Sequence, residues 1–116
     1  MSVDITTCVG FGYMLTPDQY YSMWNAATAA GEWDDMEDLF CPIDCYDEDS
    51  PVFLGYIFVT VDLGEYITME ETIYPSDFNP DGFAYVMSEI FTICGVDVKP
   101  GSKWENPKLY TFVRIH

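Results

Sequence analysis

All four basic residues, Lys99, Lys103, Lys108 and Arg114, lie beyond Val98, and every one of the 20 acids except Glu105 precedes Lys99. A formal charge of -16 on 116 residues opposes compaction by self-repulsion and surrounds the chain with a negative field that an ordinary domain would dilute with mixed charge. Folding must therefore draw on a substantial core. The composition supplies one: 49% of the residues are hydrophobic and 17% aromatic, whereas acidic disordered tails are poor in both. The length is that of a single domain spanning 1-116.

The apolar stretches are broken by Gly, Thr or Asp well short of the roughly 18 residues that a membrane-spanning helix needs. No basic segment precedes an apolar run in the manner of an export signal. The expectation is a cytoplasmic protein that an anionic membrane surface would repel. Its four cysteines, Cys8, Cys41, Cys45 and Cys94, are then expected as thiols rather than disulfides.

From Val3 to Leu15 the odd positions are Val, Ile, Thr, Val, Phe, Tyr and Leu, and this period of two predicts a strand. Gly10 and Gly12 fall on its other face, where a bulge or a close approach by a packed helix is expected. Thr16-Pro17-Asp18-Gln19 combines an N-cap hydroxyl, a proline at the first helical position and a capping-box Gln. The helix it starts carries Tyr20, Met23, Trp24, Ala27 and Ala30 as an apolar stripe and ends at Gly31.

Trp33, Met36 and Phe40 can anchor a short acidic helix before Cys41. Val52 to Val61 is the most strand-like run, and Leu63-Gly64 then turns into a partner strand over Glu65 to Thr72. Residues 75–79 form a loop. Asn79-Pro80-Asp81 repeats the cap-proline-acid start, and Phe83, Val86, Met87, Ile90, Phe91 and Cys94 form a second amphipathic stripe stopped by Gly95. Lys99 to Ser102 turns, and Lys108 to Ile115 closes the chain as a strand. The fold class is α+β: an antiparallel sheet of about four strands with two amphipathic helices on one face. A ferredoxin-like βαββαβ order fits, with an acidic insertion after the first helix.

Catalytic chemistry finds little support. The sole histidine is the final residue, His116, where an exposed, frayed tail is expected, and no nucleophile-elbow, P-loop or zinc-helix motif occurs. Carboxylates such as Asp34 with Glu37 or Asp38 read as a solvated face without an apolar pocket to raise a pKa. The chain is therefore expected not to be an enzyme and to need no cofactor. Cys41 and Cys45 could begin a zinc site with Cys8, Cys94 or His116, but one close pair without a second favours buried structural thiols. Asp44, Asp47, Glu48 and Asp49 lack the alternating acids, central Gly and terminal Glu of an EF-hand.

Nine carboxylates fall among the eighteen residues from Glu32 to Asp49, a segment with no cation. Solubility alone would be served by mixed charge, so recognition of a basic surface is the stronger reading. The expected partner-binding residues are Glu32, Trp33, Asp34, Asp35, Glu37, Asp38, Asp44, Tyr46, Asp47, Glu48 and Asp49, the acids steering a partner and the aromatics holding it. The competing account packs Trp33, Met36 and Phe40 on the sheet.

Proteins that grip DNA line their channels with Lys and Arg, and displayed carboxylates can replace phosphates there. In size, charge and the segment Glu32 to Asp49, the chain resembles the small acidic inhibitors that phages and mobile elements direct against restriction or CRISPR nucleases. That resemblance implies a DNA-mimic inhibitor of a nuclease or effector complex, without direct nucleic-acid binding. An immunity protein against a toxin nuclease, or a phage structural or assembly protein with an acidic exterior, is the alternative. The basic end could pair with the acidic body, which is slightly favoured, give docking a direction, or orient a homodimer.

Overall fold

Alternating apolar residues make β1 (Ile5–Leu15) one of the two inner strands of the antiparallel sheet, which has four strands among the described residues. The computed structural model describes residues 3–62 and 78–116. Along the chain follow α1 (Pro17–Ala29), α2 (Trp33–Met36), a 3-10 turn (Glu37–Leu39), β2 (Phe40–Pro42), β3 (Val52–Asp62), α3 (Pro80–Cys94), a second 3-10 turn (Lys103–Glu105) and β4 (Lys108–Ile115). The sheet order is β2-β3-β1-β4, so β1 pairs with both β3 and β4. The class is α+β, with three α-helices among the described residues rather than two. The turn expected at Leu63-Gly64, the strand over Glu65 to Thr72 and residues 75–77 of the loop lie outside the described residues.

Both long helices begin as their capping residues dictate. Thr16 accepts from the Gln19 N–H, Gln19 reciprocates at the Thr16 N–H, and Pro17 opens α1. Asn79 accepts from the Asp81 and Gly82 N–H groups ahead of α3. Each helix is followed by a left-handed glycine, Gly31 and Gly95, which closes it without the steric cost of a Cβ. The core forms where Met23 and Ala27 of α1, Met36 of α2 and Phe83, Met87 and Phe91 of α3 meet Tyr13, Leu15, Phe40, Val52 and Leu54 of the sheet.

Gly10 and Gly12 have separate uses. The pairing of β1 with β3 shifts register between Val9 and Gly10, a bulge as expected. The close approach comes from β3, not from a helix. The fully buried Phe53 ring lies over Gly10, where an added Cβ would come 2.8 Å from its Cζ, and Phe53 stacks in turn against Phe112 and Tyr110. At Gly12 a Cβ would land on the Leu54 carbonyl and come 2.8 Å from the Gly55 Cα.

Residues 32–49, expected as an insertion, contribute the sheet strand β2. The loop that follows also closes on the opposite edge of the sheet. Ile115 donates to the Ile43 carbonyl at 2.7 Å, and Cys45 donates to the Ile115 carbonyl at 3.1 Å. The sheet therefore curls until the segment after β2 reaches β4.

Gly12→Ala is expected to destabilise the protein by about 3 kcal/mol or more, because backbone rather than a flexible side chain must yield. Urea unfolding checks this; a loss below about 1 kcal/mol would mean that the strands separate easily at Gly12.

Candidate functional site

Helix α1 has a buried face and an aromatic outer face. Met23 and Ala27 face the core, while Tyr21 and Trp24, three residues apart, stay 44% and 38% exposed. The expected stripe misplaced two residues: Trp24 and Ala30 belong to the solvent side. At 13 residues, α1 is about 20 Å long at 1.5 Å per residue.

The acids of the 32–49 segment fall in two groups alongside α1. In the first group, Asp34, Asp35, Glu37 and Asp38 are exposed, with Asp34 beside Trp24, Thr28 and Gly31 toward the C-terminus of α1 and Glu37 beside Tyr20 toward its N-terminus. Met36 and Phe40 between them are buried, as the competing account held. Trp33 is half-buried, its ring 5.0 Å from that of Phe40 and 6.1 Å from that of Tyr20. Glu32 is also half-buried. Glu37 lies close enough to Tyr20 to help raise its phenol pKa, after burial and beside Tyr21.

Near the N-terminus of α1, the loop after β2 carries the second group. Asp47, Glu48, Asp49 and Tyr46 are exposed, and Asp44 is half-buried. Asp44 Oδ1 accepts from the Tyr46 N–H and Asp47 Oδ1 from the Asp49 N–H, both at 2.9 Å, and the Asp44 N–H donates to Ser50 Oγ at 3.0 Å. These Asx turns hold the loop in one shape, and its bond to Ile115 anchors it to the sheet. Of the four aromatic or Met residues interleaved with the acids, Tyr46 alone is broadly exposed, at 52%.

Each end of α1 has a shallow depression. One, of about 210 Å³, joins Trp24 and Trp33 with Thr28, Gly31 and Asp34. The other, of about 200 Å³, joins Tyr20 and Tyr21 with Asp44, Asp47 and Glu48. An aromatic face beside a carboxylate suits the apolar stem and charged head of an Arg or Lys side chain. Tyr21 and Trp24 were not among the residues expected at the surface. The signal was present, since Tyr21, Trp24 and Thr28 repeat at three and four residues just as the buried stripe does.

His116 is no frayed tail. Its backbone exchanges hydrogen bonds with Asp4, at 2.9 Å from N–H to Asp4 O and 2.6 Å back, and its ring Nε2 lies 2.9 Å from Thr6 Oγ1. Of the basic end, Lys103 donates to the Met14 carbonyl and to Gln19 Oε1, both at 2.7 Å. Among the described residues, no three His, Cys, Asp or Glu side chains converge as metal ligands, and no helix is long and apolar enough to cross a membrane. No protein-family model, curated protein or solved structure matches the chain.

The four cysteines are free thiols, with Cys8, Cys41 and Cys94 buried and Cys45 exposed. Burial raises the pKa of each buried thiol; for Cys8 the neighbouring Cys41 adds to the rise, and Arg114 opposes it at both Cys8 and Cys41. Iodoacetamide on the folded protein at pH 8 should therefore label Cys45 rapidly and the other three only on unfolding, as peptide mass spectrometry would read. Rapid labelling of Cys8 or Cys41 would contradict the burial of that face.

Burial also pushes the Tyr13 phenol from 10.0 up to about 12. The unfolded chain ionises first, so the stability this group contributes is present below pH 10 and is lost as pH rises from 10 toward about 12. Urea midpoints should fall across that window more steeply in the wild type than in Tyr13→Phe.

Proposed function

We propose that the protein is a non-enzymatic inhibitor that docks its acidic surface on the basic nucleic-acid-binding surface of a nuclease or related enzyme, in the manner of a DNA mimic. The observation that carries this reading is the placing of two carboxylate groups alongside α1, next to the exposed Tyr21 and Trp24. A negative field of this strength accelerates encounter with a Lys- and Arg-lined channel. Once there, carboxylates offer guanidinium groups the bidentate contacts they otherwise make to phosphate. The aromatic residues supply the desolvated contact that charge alone does not. The Asx turns that shape the 43–51 loop reduce the ordering cost of binding. An immunity protein against a toxin nuclease would use the same surface in the same way.

The order β2-β3-β1-β4, with α1 between β1 and β2 and α3 between β3 and β4, also supports a ferredoxin-like scaffold in which β2 is cut to three residues. On this view the acidic segment is the elaborated connection around that short strand.

A specific observation favours assembly as a second reading. Asp4 and His116 exchange both backbone hydrogen bonds, so even-numbered β4 residues bond to β1, and Leu109, Thr111 and Val113 direct their backbone groups away from it. These three residues are exposed and no strand among the described residues pairs with their outer edge; such an edge can pair with another chain, including a second copy.

Lysine substitutions at Asp34, Asp35, Glu37 and Asp38, and separately at Asp47, Glu48 and Asp49, test the inhibitor reading against purified restriction and CRISPR nucleases. Inhibition of DNA cleavage should weaken at least about 100-fold in each set while circular dichroism stays unchanged. Trp24→Ala should cost about 10-fold or more as an interface anchor. Retained inhibition by both lysine sets would remove the acidic surface from the mechanism.

A further inference from the structure

A cavity of about 470 Å³ opens between α3 and the 3-10 turn at Lys103–Glu105. Among the described residues, none from α1, α2 or the 43–51 loop lines it, so it is separate from the acidic surface. Its walls include the rings of Phe11, Tyr13, Phe83, Phe91 and Trp104, with Glu105 as the one charged lining residue among those described. These rings are already packed on one another. Trp104 lies 5.7 Å from Tyr13 and 5.3 Å from Phe91, Tyr13 lies 5.4 Å from Phe91, and Phe11 lies 5.1 Å from Phe83. The volume is that of a small-molecule site.

No Lys, Arg or His is among the described lining residues, so nothing there neutralises an anion. The Tyr13 hydroxyl donates to the Trp104 carbonyl at 2.8 Å and the Thr92 hydroxyl donates to the Ser88 carbonyl at 2.9 Å, which leaves the Ser88 hydroxyl and the Trp104 indole N–H as the neutral side-chain donors of the lining. Lys103 does not line the cavity; its ammonium is held by Met14 and Gln19, 5.1 Å from the Trp104 ring centroid. What the cavity presents is a lining rich in aromatic rings, an exposed carboxylate at Glu105 and the field of a chain charged -16. Aromatic faces joined to one carboxylate are the chemistry that recognises alkylated ammonium groups.

We propose that this cavity binds a small organic cation of the alkylated-ammonium class, with its methylated head against the Trp104, Tyr13 and Phe91 rings and its charge facing Glu105. The test titrates the purified protein with choline and with its neutral isostere 3,3-dimethylbutan-1-ol, ionic strength held constant with potassium chloride. Tryptophan fluorescence and calorimetry give the affinities. Choline should bind about fivefold or more tightly than the isostere. Glu105→Gln, at an exposed position, should weaken choline by about threefold and leave the isostere unchanged. Trp104→Leu should remove the preference altogether. Equal or tighter binding of the neutral isostere, choline binding unchanged in Glu105→Gln, or no saturable binding of choline would each overturn the proposal.

Discussion

The contact of β1 with β3 across Gly12 and Gly55 is the constraint on which the remaining structure depends. No side chain separates the two backbones there, since a Cβ on either glycine would meet the opposite strand. The approach lets Tyr13 pair with Leu54 and Leu15 with Val52 on the helix-bearing face. One register further, Gly10 leaves room for Phe53 on the other face. Both layers of packing therefore descend from three small residues in two strands. Because β1 also pairs with β4, the same strand holds the basic C-terminal segment and, through Ile115, the acidic loop after β2.

Charge and packing divide the molecule cleanly. Buried residues among those described are almost wholly apolar, with Thr6 the polar exception, and the carboxylates of residues 34–38 and 47–49 stand in solvent. Repulsion among them disfavours compaction, and the core of aromatic, Met and branched side chains opposes it. Such a surface gains from a basic partner by relief of repulsion as well as by direct contact. The helix α1 connects the two roles, burying Met23 and Ala27 beneath while presenting Tyr21 and Trp24 above.

Local chemistry made much of this readable in advance. The Thr16-Pro17 and Asn79-Pro80 starts, the Gly31 and Gly95 stops, the alternation through β1 and the uncharged β-branched and aromatic run of β3 act within a few residues, so the sequence carries them openly. Strand β2 was hidden because Phe40-Cys41-Pro42 has no periodicity of its own; it becomes a strand by pairing with residues 52–54. Treating the 32–49 segment as an insertion followed from missing that strand. Trp24 was misjudged because two stripes on α1 share three-to-four spacing, and only the position of α3 and the sheet selects the buried one. His116 was misread from its place at the chain end, although long-range pairing with Asp4 and Thr6 holds it.

The central claim is that the acidic surface occupies the site of a nucleic acid on a basic enzyme. The most direct measurement is competition: the protein bound to a captured nuclease at low ionic strength, challenged with rising duplex DNA and, separately, rising salt. The account predicts mutually exclusive binding, with DNA releasing the protein in proportion to its own affinity, and an affinity for the nuclease that falls steeply between about 50 and 200 mM salt. A ternary complex of protein, nuclease and DNA, or binding indifferent to salt, would contradict it.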